Sequence, residues 1–362
     1  GMPARRLHRR AGIPVLFIAS EYNEAMDNPE APSFSDLLTD LLDPDSTILE
    51  ERIFGLSNLG PADLDQLADT WSRIPLERRR RLVAGMEALA ATDPLLFFEE
   101  VGKIAIHDED PEVRVFAIRL TSLEEDPAFA AALIALVEHD PHFEVRAGAA
   151  FALGKYVYLG EIEEIPYGTQ QKVEATLLAA HRGDEQDLVR RRALEAISFS
   201  SRDEVNSLIE DAYARDDEDW QQCAVYAMGA SANPRWSRQV TDALASDSPA
   251  LRYEAARAAG KLDIADLKDE LFELAQNDDD EEVRQAALWA LSDIGGEGVV
   301  EFIQDRLENT EDPEEIELLE EALDNLAASE FFDDLDLPLF DFDEEDLVNF
   351  DGMDDEGDDE AV

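Results

Sequence analysis

The chain reads as an all-α solenoid, a stack of about nine helix pairs ending in an acidic tail. Three observations predict this. An Arg or its stand-in recurs with the same apolar neighbours every 29 to 33 residues, with one interval of 44, at Arg52, Arg81, Arg114, Arg146, Arg190, Gln221, Arg252, Arg284 and Glu317. The phrase around it also returns: Asp110-Pro-Glu-Val-Arg114, Asp140-Pro-His-Phe-Glu-Val-Arg146, Asp187-Leu-Val-Arg190, Asp247-Ser-Pro-Ala-Leu-Arg252 and Asp280-Glu-Glu-Val-Arg284. No segment shows the period-two alternation of a convincing strand. One helix pair cannot bury its own apolar face, so such units are stable only when stacked.

Residues 1–33 read as an arm outside the repeat, basic and then polar. Its Arg cluster and the apolar run Ile13–Ala19 do not read as a secretory signal, because the run is short, contains Pro14 and leads to Glu21. The repeat region is expected over 34–328. In each unit a stretch such as Ala130–Val137 predicts a first helix, which breaks at Asp-Pro, where Asp suits an N-cap and Pro the first turn. A second helix follows, with small and apolar residues three and four apart, as in Val145, Ala149, Ala152 and Leu153. Gly154, Gly229, Gly260 and Gly295 come next and suggest helix C-termini. The long interval predicts an insertion near 155–172, whose Tyr156, Tyr158 and Tyr167 either close over a binding surface or pack their own loop. The last unit, Glu314–Ala328, is acidic throughout and suits a polar terminal cap.

The phrase Asp-Pro-x-x-Val-Arg-x-x-Ala-x-x-Ala-Leu resembles HEAT repeats, in the short bacterial form also found in phycobilisome lyases, over roughly residues 36–328. The resemblance implies a right-handed superhelix in which the repeated Asp and Arg form a ladder between neighbouring units. Arg114, Arg146, Arg190, Arg252 and Arg284 are then structural, and Gln221 and Glu317 interrupt the ladder. The resemblance further implies that second helices line a concave face. Five residues past the ladder position stand Arg119, Phe151, Glu195, Tyr226, Arg257 and Trp289, with Tyr253 nearby. Arg119, Phe151, Tyr226, Tyr253, Arg257 and Trp289 are the expected partner-binding groove, since aromatics and Arg anchor protein interfaces. The alternative is that the rings bury between repeats.

Residues 329–362 hold 16 acidic side chains and no Lys or Arg. Such density of like charge predicts disorder in isolation. Carboxylates alternate there with Phe331, Phe332, Leu335, Leu337, Phe340 and Phe342, which a solubilising tail does not need, so a docking segment is favoured.

The composition narrows the function. The chain has 86 acidic and 30 basic residues, a formal net charge of −56, which disfavours phosphate binding and favours a basic partner. The lone Cys223 excludes an intrachain disulfide and suits a reducing cytoplasm. No P-loop, nucleophile elbow, dinucleotide fingerprint, paired-Cys zinc motif or His-Glu-x-x-His occurs. Among enzymes built on HEAT-like repeats, deoxyhypusine hydroxylases carry His-Glu pairs, absent here, and alkylpurine DNA glycosylases need a basic groove. The expectation is a non-enzymatic cytoplasmic scaffold that binds a protein or peptide, with no cofactor, no metal, no direct nucleic-acid contact and no membrane span. Two alternatives stand beside it: a lyase-like factor holding a chromophore or cofactor, and a tail that mimics nucleic acid towards a DNA-binding protein.

Overall fold

The computed structural model describes residues 33–43, 50–93 and 95–333. Every regular element among them is helical, and they fall into two compact units that divide after Glu124.

The first unit opens with α1 (Phe34–Leu42), held by a reciprocal cap between Ser33 and Asp36. The short α2 (Glu50–Ile53) follows, then α3 (Pro61–Trp71), α4 (Leu76–Thr92), α5 (Glu99–Ala105) and α6 (Pro111–Leu120). Its interior includes Leu67, Leu82, Val83, Met86 and Val113, all fully buried.

The second unit is six consecutive helix pairs among the described residues. They are α7 (Ala130–His139) with α8 (Phe143–Glu161), α9 (Tyr167–Gly183) with α10 (Asp187–Ile197), and α11 (Asp203–Tyr213) with α12 (Glu218–Ala230). Then come α13 (Ser237–Leu244) with α14 (Pro249–Lys261), α15 (Lys268–Asn277) with α16 (Glu281–Ile294), and α17 (Val299–Asn309) with α18 (Pro313–Asp333). Each second helix packs on its own first helix and on the second helix of the next pair, so α8, α10, α12, α14, α16 and α18 form one continuous row.

That row explains the glycines. Gly154, Gly229 and Gly260 lie inside helices and end none of them; the corresponding expectation holds only at Gly295, the C-cap of α16, with φ of 61°. A Cβ on Gly229 would stand 2.9 Å from the Cα of Ala258, and one on Gly260 would stand 2.9 Å from the Cα of Ala290. Gly154 faces Ala196 in the same way, at 3.2 Å. Each glycine lets the backbone of the next second helix come close. A Gly-against-Ala contact therefore recurs along the row, and sequence alone shows it only as a small residue late in a helix.

The long interval is not a looped insertion. It is spent on helix: α8 has 19 residues and α9 has 17, joined by a short turn. Tyr156 is buried, Tyr158 packs edge-on against Phe199 at 6.4 Å, and Tyr167 is exposed at the start of α9. At the other end, α18 runs through Asp333 and so takes in the first five residues of the expected tail. Phe331 and Phe332 fall on its last turn, while Leu335, Leu337, Phe340 and Phe342 lie outside the described residues, as does most of the arm 1–33.

Candidate functional site

The repeated phrase contains two different aspartate positions. Six residues before the ladder side chain stand Asp108, Asp140, Asp184 and Asp278. In each, the carboxylate accepts from the backbone N–H two residues on, at 2.9 Å, and fixes the turn between first and second helix. Four residues before it stand Asp110, Asp217, Ser248 and Asp280, which cap the second helix through the N–H of its third residue. His142 and Gln186 occupy that cap position without a side-chain bond. Asp110-Pro and Asp140-Pro are thus not equivalent, although they read alike.

The ladder side chain does two things. Inside its own pair it donates to the carbonyl six residues back: Arg114 to Asp108, Arg146 to Asp140, Arg252 to Ser246 and Arg284 to Asp278, at 2.8–3.0 Å. Across to the next pair it forks onto the turn carboxylate. Arg146 holds both oxygens of Asp184 at 2.7 and 3.0 Å, and Arg252 holds both of Asp278 at 2.8 Å. Such bidentate pairs are strong because the planar guanidinium matches the carboxylate.

The interruptions are coupled. Gln221 keeps the first task, donating to the Arg215 carbonyl at 2.9 Å. It cannot supply the second, and the next turn carries the neutral Ser246 where others carry Asp. Arg190 meets the opposite mismatch, because the next turn begins with Arg215; it turns back to Asp187 on its own helix, while Arg215 stacks on Trp220 at 3.6 Å. In the first unit the corresponding contacts come from Arg79 and Arg80 and not from Arg81, which is exposed. Arg79 reaches the buried carboxylate of Asp108 at 2.5 Å, which also accepts from the Trp71 indole at 2.6 Å, and Arg80 forks onto Asp110. Glu317 is exposed and takes no ladder role.

The expected groove residues divide. Arg119 is buried, paired with Glu87 at 3.2 Å and lying 5.3 Å from the Phe116 ring. Phe151 is also buried, 6.1 Å from Tyr226 and covered by Arg192. Both are removed from any partner, because the close packing of second helices seals these positions. Tyr226, Tyr253, Arg257 and Trp289 remain half-buried on α12, α14 and α16. Lys261 lies 5.5 Å from the Tyr226 ring and Arg257 5.6 Å from the Tyr253 ring. Arg257 also reaches Glu254 at 3.7 Å, while Arg192 meets the buried Glu195 at 2.8 Å. Sequence counting could not see Lys261, which lies nine residues past the ladder position.

Cys223 and His181 sit among packed side chains. Cys223 is buried, and burial pushes its thiol well up, away from the thiolate a nucleophile needs. His181 is held low, by burial first and then by the charges of Arg215, Arg182 and Arg190. Its Nδ1 meets the Arg190 carbonyl at 2.9 Å and its ring sits edge-on to Trp220. Among the described residues no group of three or more His, Cys, Asp and Glu is arranged to hold a metal ion, and no helix is long and apolar enough to cross a membrane.

Stacked helix pairs joined through a two-part Arg–Asp ladder define a helical-repeat protein. Residues 237–324, from α13 into α18, match the family model of HEAT repeats. No curated protein matches it. Similar solved structures include the YibA protein of E. coli, at 14% identity and a TM-score of 0.39, over 79% of this chain and 99% of that one. Human deoxyhypusine hydroxylase in complex with glycerol is similar at 18% identity and a TM-score of 0.32, over 76% of this chain and 98% of that one. Importin beta is similar at 13% identity and a TM-score of 0.32, over 87% of this chain and 53% of that one.

Proposed function

We propose that this chain is a non-catalytic cytoplasmic scaffold that binds a protein or peptide along its row of second helices. One observation carries the reading. Tyr226, Arg257 and Trp289 occupy the same register position on successive second helices, with Tyr253 beside them, and all four stay half-buried where Arg119 and Phe151 are sealed. Aromatic rings flanked by cations suit a peptide backbone and its side chains, and such residues dominate interface energetics.

The net charge of −56 attracts a basic partner from a distance. That attraction sets encounter rate and salt dependence, while the row itself, with Arg257 and Lys261, supplies little local preference for positive charge. The test is affinity capture from native lysate with the full-length chain and with the Tyr226→Ala, Tyr253→Ala, Trp289→Ala triple variant. A protein retained by the first and lost by the second, at unchanged helical circular dichroism, supports the reading. Equal retention places recognition elsewhere.

A further inference from the structure

We propose that the chain's own C-terminal segment, residues 334–362, occupies the second-helix row in cis and competes there with the partner. The inference rests on the binding surface proposed above and adds its regulation.

Charge is the first ground. In a chain of net charge −56, the second helices α8, α10, α12 and α14 together carry eight Arg or Lys against seven Asp or Glu. With α16 the count is nine against ten, so the second helices α8 to α16 are close to neutral in a strongly acidic protein, and Arg257 and Lys261 lie on the half-buried rings of Tyr253 and Tyr226. Residues 334–362 carry fourteen acidic side chains and no basic one. Acidic chain elsewhere on this protein meets mostly carboxylates; on the row it meets cations held against rings.

Reach is the second ground. The segment begins where α18 ends, and α18 is itself the last member of the row, packed on α16. Neighbouring helices lie about 8–10 Å apart, so α12 is three steps, or roughly 30 Å, from α18. The 29 residues after Asp333 span up to roughly 95 Å when extended. Leu335, Leu337, Leu339, Phe340 and Phe342 lie two to nine residues past Asp333, up to roughly 30 Å, which brings the later ones to Trp289 and Tyr253, while Leu347, Val348 and Phe350 lie far enough along to reach Tyr226. Phe and Leu between carboxylates match rings between cations.

The test uses the full-length chain. Tyr253→p-benzoylphenylalanine and Trp289→p-benzoylphenylalanine place a photo-crosslinker on the row, and Tyr167→p-benzoylphenylalanine places one on the exposed start of α9 as control. In parallel, zero-length carboxyl–amine coupling on the unaltered protein reads Lys261 directly, so a misfolded variant does not decide the outcome. The expected result is crosslinking of both row positions and of Lys261 to peptides from 334–362, within monomer, severalfold above the Tyr167 control. It should fall severalfold at about 1 M salt, where the Debye length is about 3 Å. The Phe340→Ser, Phe342→Ser variant should lose it too. Crosslinks to 334–362 found only in dimer would show a second copy as the occupant and overturn the cis contact. Crosslinking no greater than at Tyr167, with Lys261 uncoupled to the segment, would overturn the proposal. Partner capture by the triple row variant is read separately, so the binding surface can survive this failure.

Discussion

Arg252 and Asp278 are joined by two parallel hydrogen bonds of 2.8 Å across the boundary between successive helix pairs, while the same guanidinium donates to the Ser246 carbonyl behind it. One side chain thus closes its own turn and latches the next. The Asp278 side chain is only 4% exposed, so its charge depends on this partner. Arg252→Ala leaves that carboxylate without its cation and should lower stability by about 2–4 kcal/mol in urea unfolding. Arg81→Ala, at an exposed site, should stay within about 0.5 kcal/mol. A loss at Arg81 equal to that at Arg252 would contradict the assignment.

The coupled interruption at Gln221 and Ser246 invites repair. Gln221→Arg alone sets a guanidinium opposite a hydroxyl, and Ser246→Asp alone sets a carboxylate opposite an amide. Together they should rebuild the fork seen at Arg146 and Asp184. A double-mutant cycle by urea unfolding should return a favourable coupling of about 1–2 kcal/mol. Additive singles would show that the two positions do not face each other.

The row's glycines give a packing test. Gly229→Ala and Gly260→Ala drive a methyl against the backbone of Ala258 and Ala290 and should each cost about 1–3 kcal/mol. Gly168→Ala, in α9 with nothing within 4 Å, should be neutral or stabilise by up to about 1 kcal/mol through helix propensity. Thermal melts of the three variants are sufficient.

Acid should act on His181 and on the latched carboxylates Asp278 and Asp184. His181 is held below its ordinary value, so between pH 6.5 and its lowered folded value the unfolded chain binds the proton first. Its contribution is full above pH 6.5 and lost as pH falls. Asp278 is lowered chiefly by the Arg252 hydrogen bonds; burial raises Asp184, but the bonds from Arg146 and the Gln186 amide outweigh it. Both contribute above about pH 4 and fail as pH drops through their lowered folded values. Relief of carboxylate repulsion acts in the opposite direction. The His181 step is therefore the difference in the pH 5–6.5 slope between wild type and His181→Gln, and equal slopes would contradict it.

Much of this was legible in the sequence because a solenoid writes its contacts locally. The helix pairs follow from periodicity, which also marks the positions of Arg146 and Arg252 but not that Arg190 turns back to Asp187. The residues that misled share one cause: their role is set by the neighbouring repeat. Gly229 looks like a helix end until Ala258 is placed against it. Asp110 and Asp140 are the exception, alike in the phrase only because two local carboxylate roles, helix cap and turn, fall two residues apart in it. Arg119 looks like a groove residue until Glu87 covers it. Lys155–Gly168 looks like a loop, with its Gly, Pro and Tyr, yet mostly lengthens two helices whose faces the adjacent repeats cover. For the candidate site, sequence located Tyr226, Tyr253, Arg257 and Trp289 but could not say which stay half-open, nor bring Lys261 to Tyr226.

If the second-helix row is the recognition surface, hydrogen exchange of the full-length protein with and without its captured partner slows in α12, α14 and α16, around Tyr226, Tyr253 and Trp289, with little change in α11, α13 and α15. Slowing confined to those first helices, or none in the row, would contradict it.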